Sequence, residues 1–230
     1  MAFADKVDYV GLATQVSGIA LRSNGQNATN QVLQIPGQDG SIIGDEIFGH
    51  IKAPTCEYAI TGSAALTGLK LGYVYNSSGP FALNHIHVAT GAGTEPVVTA
   101  DAVQIEPSAT QAVCTYSLDS VALSPARHAL TFGAFTYSES TSLALQNAEF
   151  DATCTLDPTT INGDPVAADA VAGVETVNAT FWAASETSAP AVSAATGWHI
   201  TQDWNCTGAD SQLFVWTATF TKYLSATQAS

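Results

Sequence analysis

The sequence contains few charged residues and very few basic ones. Only 11% of its residues are Asp, Glu, Lys or Arg, and twenty acids stand against six bases, for a formal net charge of −14. Proteins that bind nucleic acid draw their affinity from Lys and Arg side chains that neutralise phosphates. The shortage of bases therefore disfavours a nucleic-acid-binding protein, whereas an acidic surface suits either solubility or the repulsion of a polyanion.

We expect no signal peptide and no membrane-spanning helix from this sequence. Residues 1–8 include acids where a secretory signal needs positive charge, and no apolar stretch follows them. No uninterrupted apolar run approaches the roughly 18 residues of a membrane-spanning helix. We therefore expect a protein with no membrane segment that is made and kept in a cytoplasm, or that leaves it without a signal peptide.

The common catalytic motifs are missing as well. There is no phosphate-binding loop, no dinucleotide-binding glycine pattern and no G-x-S-x-G turn for a nucleophilic serine. A glycosidase would need two facing carboxylates, which cannot be singled out among twenty acids. We expect no catalytic residue, no cofactor and no enzymatic activity.

The four cysteines, Cys56, Cys114, Cys154 and Cys206, are far apart in the sequence and form no C-x-x-C pair. This spacing disfavours a zinc or redox motif. Apolar or aromatic residues alternate with three of them, which is typical of small core residues on a strand. We predict free, buried thiols; disulfides are the alternative.

Short runs of β-branched and aromatic residues alternate with turn clusters at spacings of roughly eight to twelve residues from Cys56 onward, which predicts an all-β sandwich or barrel. In 148–156 and 214–221 apolar and polar residues alternate strictly, so one face of each strand should be buried. At most one short helix is expected, at 164–171, where Asp164 could cap the N-terminus and Pro165 could occupy the first position.

Four short segments recur in the same order, which indicates an internal duplication. The pairs are Cys56–Ile60 with Cys114–Leu118, Leu69–Gly72 with Leu130–Gly133, Ala82–Asn84 with Ala144–Gln146, and Glu95–Val97 with Asp164–Val166. We predict an extended N-terminal arm (1–52) and a β domain (53–230). The domain would contain two units of roughly sixty residues (53–112 and 113–182) and C-terminal strands (196–224). Chance similarity between Thr-rich strands is the alternative.

His85 and His87 are the only sharp candidates for a metal site. Residues two apart on a strand project to the same face and can share an ion. The other histidines, His50, His128 and His199, lie at no diagnostic spacing. A half-exposed or interfacial histidine pair is the simpler interpretation, and we predict no metal.

The four tryptophans raise the possibility of a sugar-binding surface. Trp216 lies in an alternating strand and is expected in the core. Trp198 and Trp204 flank a stretch with Gly and Asp, where they could be exposed. An extracellular adhesion or carbohydrate-binding module is therefore an alternative function.

Taken together, the order of features resembles the tail-tube-like virion proteins of tailed bacteriophages. The resemblance rests on a Gly- and Asp-rich entry arm, Cys56–Thr61, Leu69–Gly72, a strand that ends in Thr90-Gly-Ala-Gly-Thr-Glu-Pro-Val97, and a close on Trp198–Thr201 and the strand 214–224. It implies a β-barrel or sandwich with a flanking helix and long arms, for which the predicted helix at 164–171 would serve.

The resemblance also implies a function and partners. Copies of the chain would join into rings, usually hexameric, that stack into a tube and contact other tail or capsid proteins of the virion. DNA would pass through an acidic lumen without specific binding, since an acidic surface has few cationic groups to bind phosphates. Glu149 and Asp151, on the polar face of an alternating strand, are candidates for the lumen or the outer surface. A capsid decoration or head-fibre protein is the alternative within virions.

Overall fold

The computed structural model describes residues 6–36, 38, 41–76, 79–91, 94–119, 121–123, 131–132, 134–136, 143–161, 164–184, 195–206 and 214–228. Within these residues the chain forms one short helix, α1 (Leu12–Gln15), and fifteen strands. The strands are β1 (Ile19–Pro36), β2 (Ile42–Ile60), β3 (Ala64–Ala65), β4 (Lys70–Tyr73), β5 (Phe81–Gly91), β6 (Thr94–Gln104), β7 (Gln111–Ser117), β8 (Val121–Leu123), β9 (Thr131–Phe132), β10 (Phe135–Thr136), β11 (Leu143–Ile161), β12 (Asp164–Ala183), β13 (His199–Cys206), β14 (Phe214–Tyr223) and β15 (Ala226–Gln228).

The strands form three antiparallel sheets. The largest has eight strands in the order β1-β2-β6-β5-β11-β12-β14-β13, and β15-β7-β4 and β10-β9-β8-β3 form two smaller ones. Long hairpins dominate the large sheet, because β1 pairs with β2 and β11 pairs with β12 over most of their lengths. The predicted fold class, all-β with at most one short helix, is confirmed.

The core lies between the eight-stranded and three-stranded sheets. The alternation predicted for 148–156 and 214–221 is confirmed, since Phe150 and Phe220 are fully buried while the residues beside them are at least partly exposed. Tyr116 of β7 packs its ring against Gly173 of β12 and donates a hydrogen bond of 3.2 Å to the carbonyl of Ala170. Contacts of this kind bury one face of the large sheet and leave the other face polar.

The helix predicted at 164–171 is wrong, because these residues begin strand β12. Asn162-Gly163, a pair favoured in two-residue hairpin turns, separates β11 from β12 in the sequence. Ile161 is then paired with Asp164, and Thr160 with Pro165. The proline is tolerated here because β14 pairs with β12 only from Val174 onward, so among the described strands β11 alone pairs with β12 at Pro165. The flanking helix that the resemblance implied is therefore not formed by these residues.

One predicted repeat pair occupies equivalent positions in the fold, and another does not. Glu95–Val97 and Asp164–Val166 both lie near the start of the second strand of a hairpin, β5–β6 and β11–β12 respectively. Cys56 lies in the eight-stranded sheet, whereas Cys114 lies in the three-stranded one. The boundaries drawn at 52/53 and 112/113 fall within β2 and β7. The internal duplication stays a prediction.

Candidate functional site

Two histidines and two aspartates meet on the polar face of the eight-stranded sheet. Ile86 and Val88 of β5 point into the core and are fully buried. His85 and His87 alternate with them along the strand and therefore point to the opposite face. Asp101 of β6 and Asp151 of β11 lie on the same face of the two neighbouring strands. We call these four residues the His–Asp cluster.

His85 bridges the two aspartates. Its Nδ1 atom lies 2.8 Å from Oδ2 of Asp101, and its Nε2 atom lies 3.2 Å from Oδ1 of Asp151. The pairing register explains the first contact: an irregularity between Leu83 and His85 shifts the β5–β6 pairing so that His85 is opposite Asp101. Both ring nitrogens of His85 therefore face carboxylate oxygens.

His87 and Thr55 complete the network. The Nδ1 atom of His87 lies 2.8 Å from Oδ1 of Asp151, its direct partner in the β5–β11 register. The Thr55 hydroxyl, on β2, donates a 2.5 Å hydrogen bond to Oδ1 of Asp101. One polar network thus crosses four adjacent strands, β2, β6, β5 and β11.

The aspartates control the protonation of His85. Its hydrogen bond to Asp101, followed by its hydrogen bond to Asp151, raises the pKa of His85 to about 9 against the opposing effect of burial. The hydrogen bonds from His85 in turn lower the pKa of Asp101 and of Asp151. At neutral pH the cluster therefore holds an imidazolium ion between two carboxylates.

The same atoms have the types and spacing of metal ligands. One ligand atom each from His85, His87 and Asp151 lies within 4.8 Å of the others, and the three residues are partly exposed. A proton on His85 and a metal ion would compete for these atoms. The cluster can therefore act either as an ion-pair network or as a metal site.

The structure brings together three of the residues that the sequence singled out: His85, His87 and Asp151. Glu149, the other predicted lumen or surface acid, lies two residues before Asp151 on the same face of β11 and is partly exposed. His199 is exposed on β13, the strand at the edge of the sheet opposite β1. The side chains of His50 and His128 lie outside the described residues.

Sequence reasoning missed Asp101. The strand β6 alternates in the expected way, with Val98, Ala100 and Ala102 buried, so the sequence places Asp101 on a polar face. The sequence does not predict the irregular β5–β6 register that places Asp101 opposite His85.

A second polar cluster lies on the buried side of the same sheet. Glu175 of β12 is fully buried, and its Oε1 atom accepts a hydrogen bond of 2.8 Å from the backbone N–H of Asp119. Asp119 Oδ2 accepts hydrogen bonds from Lys222 Nζ at 2.6 Å and from Trp198 Nε1 at 3.0 Å. Within the described part of the chain, Glu175 Oε2 has no hydrogen-bond partner. Burial accordingly raises the pKa of Glu175 to about 7.

The tryptophan predictions have mixed outcomes. Trp216 is fully buried, as predicted. The suggestion that Trp198 is exposed is wrong: only 6% of the residue is accessible, and its indole N–H donates a hydrogen bond to Asp119. The side chain of Trp204 lies outside the described residues. Trp198 thus offers no exposed ring for a sugar to stack on.

The cysteine prediction is confirmed in part. Cys56, Cys114 and Cys154 are free thiols; Cys56 and Cys154 are buried, and Cys114 is partly exposed. Burial raises the pKa of the Cys154 thiol to about 12. Such a thiol is protonated at neutral pH and poorly reactive. The side chain of Cys206 lies outside the described residues.

Comparison with known proteins found no family model that matches this chain and no matching curated protein. Among the residues that the structure describes, no helix has the length and apolar character needed to cross a membrane.

Proposed function

We propose that this chain is a structural virion protein, the major tail tube protein of a tailed bacteriophage, whose copies assemble into stacked rings. The observation that carries the proposal is the open edge of the eight-stranded sheet. Strand β1 is eighteen residues long and pairs with β2 alone among the described strands. Lys6 and Val7 contact it at Arg22 and Asn24, and residues 25–28 beyond these contacts are exposed. A long open edge promotes aggregation unless another chain pairs with it, so a neighbouring copy is its natural partner.

The charge of the large sheet supports the same function. Four adjacent strands at its centre, β5, β6, β11 and β12, contain no Lys or Arg, yet they carry acids that include Asp101, Glu149 and Asp151. Thr219 and Asn178 continue the polar face across β14 and β12, joined by a hydrogen bond of 2.8 Å. The histidines of this face are paired with Asp101 and Asp151, and the other polar groups of these strands are mostly hydroxyls and carboxylates, so DNA would find few phosphate-binding groups there.

Electron microscopy of the purified protein tests the proposal. Negatively stained, concentrated protein should contain rings or hollow tubes, with or without an added tail-tip initiator. Lys residues on an edge strand block strand pairing between chains. The double variant Gln26→Lys, Ala28→Lys should therefore assemble less, because both positions are exposed on β1.

The matched control places a lysine away from that edge. Thr155 is exposed on β11, so Thr155→Lys adds charge without altering β1 and should assemble like the wild type. Protein that stays monomeric with an initiator present would contradict a tube function. Binding of that monomer to phage capsids would support a decoration protein in its place.

A further inference from the structure

The His–Asp cluster has the composition of a metal site that the tube function does not require. Two imidazoles and one carboxylate are the ligand set that zinc and neighbouring first-row divalent ions accept. They come from two adjacent strands of a large sheet, His85 and His87 from β5 and Asp151 from β11. Ligands held by paired strands stay close to their bound positions before an ion arrives.

We propose that His85, His87 and Asp151 bind one zinc ion on the polar face of the eight-stranded sheet, and that Asp101 orients His85 for this role.

Two of the three distances between ligand atoms are close to those of tetrahedral coordination. With zinc–ligand bonds of about 2.0–2.1 Å, neighbouring ligand atoms in a tetrahedral site lie about 3.3 Å apart. His85 Nε2 and Asp151 Oδ1 are 3.2 Å apart. His87 Nδ1 and Asp151 Oδ1 are 2.8 Å apart. This contact must lengthen by about half an ångström. The third pair, one ligand atom from each histidine, lies within 4.8 Å.

A second layer of contacts supports the ligands. A histidine that binds zinc usually donates its other ring N–H to a carboxylate, which fixes the tautomer and the ring orientation. Asp101 stands in that position, 2.8 Å from Nδ1 of His85, and Thr55 holds the aspartate in turn with a 2.5 Å hydrogen bond. This arrangement directs Nε2 of His85 towards Asp151.

The fourth coordination position faces solvent. The side chains of His85, His87 and Asp151 are 29%, 32% and 32% exposed, so an ion at their centre remains accessible to water or to a carboxylate of another molecule. A site with three protein ligands and one open position binds metal less tightly than a closed structural site. We therefore expect reversible binding that a chelator removes.

Titration of the full chain with metal tests the proposal. The chain is treated with chelator, and Zn²⁺ is added at pH 8 while calorimetry records binding. We expect one ion per chain. Co²⁺, used as a visible probe, should give the intense absorption bands of tetrahedral coordination, and Zn²⁺ should then displace it.

Three variants separate this site from adventitious binding. His87→Ala should weaken zinc binding at least tenfold, and Asp101→Asn should weaken it by about 10- to 100-fold although Asp101 is not a ligand. His199→Ala is the control and should bind zinc like the wild type, since His199 is exposed at the far side of the same sheet. Circular dichroism establishes that each variant is folded.

Two results would overturn the proposal. One is the absence of saturable binding with one ion per chain in the wild type, together with a Co²⁺ spectrum of octahedral type. The other is binding that His87→Ala leaves unchanged, which would place the ion elsewhere. Either result would leave the cluster as an ion-pair network, and neither bears on whether the chain assembles into tubes.

Discussion

The Nδ1 atom of His87 lies 2.8 Å from Oδ1 of Asp151, although 64 residues separate the two in the sequence. They are direct partners on β5 and β11, the strands that join the hairpin β5–β6 to the hairpin β11–β12. Asp151 also contacts His85, so one carboxylate holds both histidines. Removal of this carboxylate should loosen the centre of the large sheet.

Asp151 and Glu149 should therefore respond differently to the same substitution. Asp151→Lys places a cation beside two imidazoles and removes two charge-assisted hydrogen bonds. We expect it to lower the free energy of unfolding by about 1–2 kcal/mol, since the site is partly exposed to solvent. Glu149→Lys should change the free energy of unfolding by less than about 0.5 kcal/mol. Urea unfolding at pH 7 measures both.

The two positions also bear on DNA passage. If the polar face lines a tube lumen, Glu149→Lys adds a phosphate-binding group without disturbing the His–Asp cluster. We expect virions with this variant to assemble normally and to eject DNA more slowly, as measured by ejection in vitro. Glu149→Gln is the control, because it removes the same negative charge without adding a positive one. Ejection at the wild-type rate would argue that Glu149 does not face the lumen.

Much of the fold could be predicted from local patterns in the sequence. Alternation in β11 correctly placed Phe150 and Ala152 in the core and Asp151 on the polar face, because a strand has a period of two. The error at Asp164 arose because a possible capping residue followed by proline also fits the start of a strand, and the partner strand β11 decided the outcome.

The site was harder to predict than the fold, for a physical reason. His85-Ile-His87 is a local pattern, so the sequence was enough to put both rings on one face. Their partners, Asp101 and Asp151, depend on which strands pair and in which register. Alternation fixes the face on which each aspartate lies, but a shift of two residues would keep that face and still separate each aspartate from its histidine.

Glu175 should make stability depend on pH. Its pKa is about 7 in the folded chain, against 4.5 for an unperturbed glutamate. The folded state therefore binds this proton more tightly, so the free energy of unfolding falls as pH rises from about 4.5 through 7. Between pH 4.5 and 6.5 the loss should be about 2 kcal/mol. Urea unfolding at pH values across this window measures it.

The matched variant is Glu175→Gln, which mimics the protonated side chain and should abolish this slope. Other groups with a shifted pKa change the free energy of unfolding mainly outside the range from about pH 4.5 to 6.5. His85, with its pKa raised to about 9, contributes stability that is present below 6.5 and lost as pH rises through 9. Asp101 and Asp151, with lowered pKa values, lose their contribution only below 3.8. An equal slope in wild type and variant would show that another group is responsible.

Asp8 should be a major anchor of the N-terminal segment. Its Oδ1 atom accepts hydrogen bonds from the Tyr58 hydroxyl at 2.6 Å and from the Gly11 N–H at 2.8 Å, and its Oδ2 atom accepts one from the Ala13 N–H at 3.0 Å. Tyr58 is fully buried, so loss of the carboxylate leaves its hydroxyl without this acceptor. We expect Asp8→Ala to lower the free energy of unfolding by about 2–4 kcal/mol.

A double-mutant cycle isolates the contact between Asp8 and Tyr58. Tyr58→Phe removes the hydroxyl, so Asp8→Ala should cost about 1–2 kcal/mol less in that background than in the wild type. Equal costs in the two backgrounds would mean that the backbone hydrogen bonds to Gly11 and Ala13 carry the whole effect. Thermal or urea unfolding of the four proteins is sufficient.

Ala172 and Gly173 form a bulge in β12, and the backbone of Ala172 has a conformation that favours glycine. Thr153 pairs with Val174 and Thr155 pairs with Val171, so two residues of β12 face one residue of β11. Ala172 has φ of 57°, a left-handed conformation in which glycine is more stable than alanine. Ala172→Gly should therefore raise the free energy of unfolding by up to about 1 kcal/mol.

Gly173 has the opposite requirement, because a Cβ atom there would lie 2.4 Å from Cδ1 of Tyr116. Tyr116 cannot move aside freely, since it packs between the sheets with its hydroxyl bonded to Ala170. We expect Gly173→Ala to lower the free energy of unfolding by about 1–3 kcal/mol, the usual cost of overpacking a core. In a Tyr116→Leu background the side chain at 116 is smaller. Gly173→Ala should therefore lower the free energy of unfolding by less in that background than in the wild type. If Gly173→Ala left the free energy of unfolding unchanged, there would be room for a Cβ atom at this bulge, and the tight contact with Tyr116 would be contradicted.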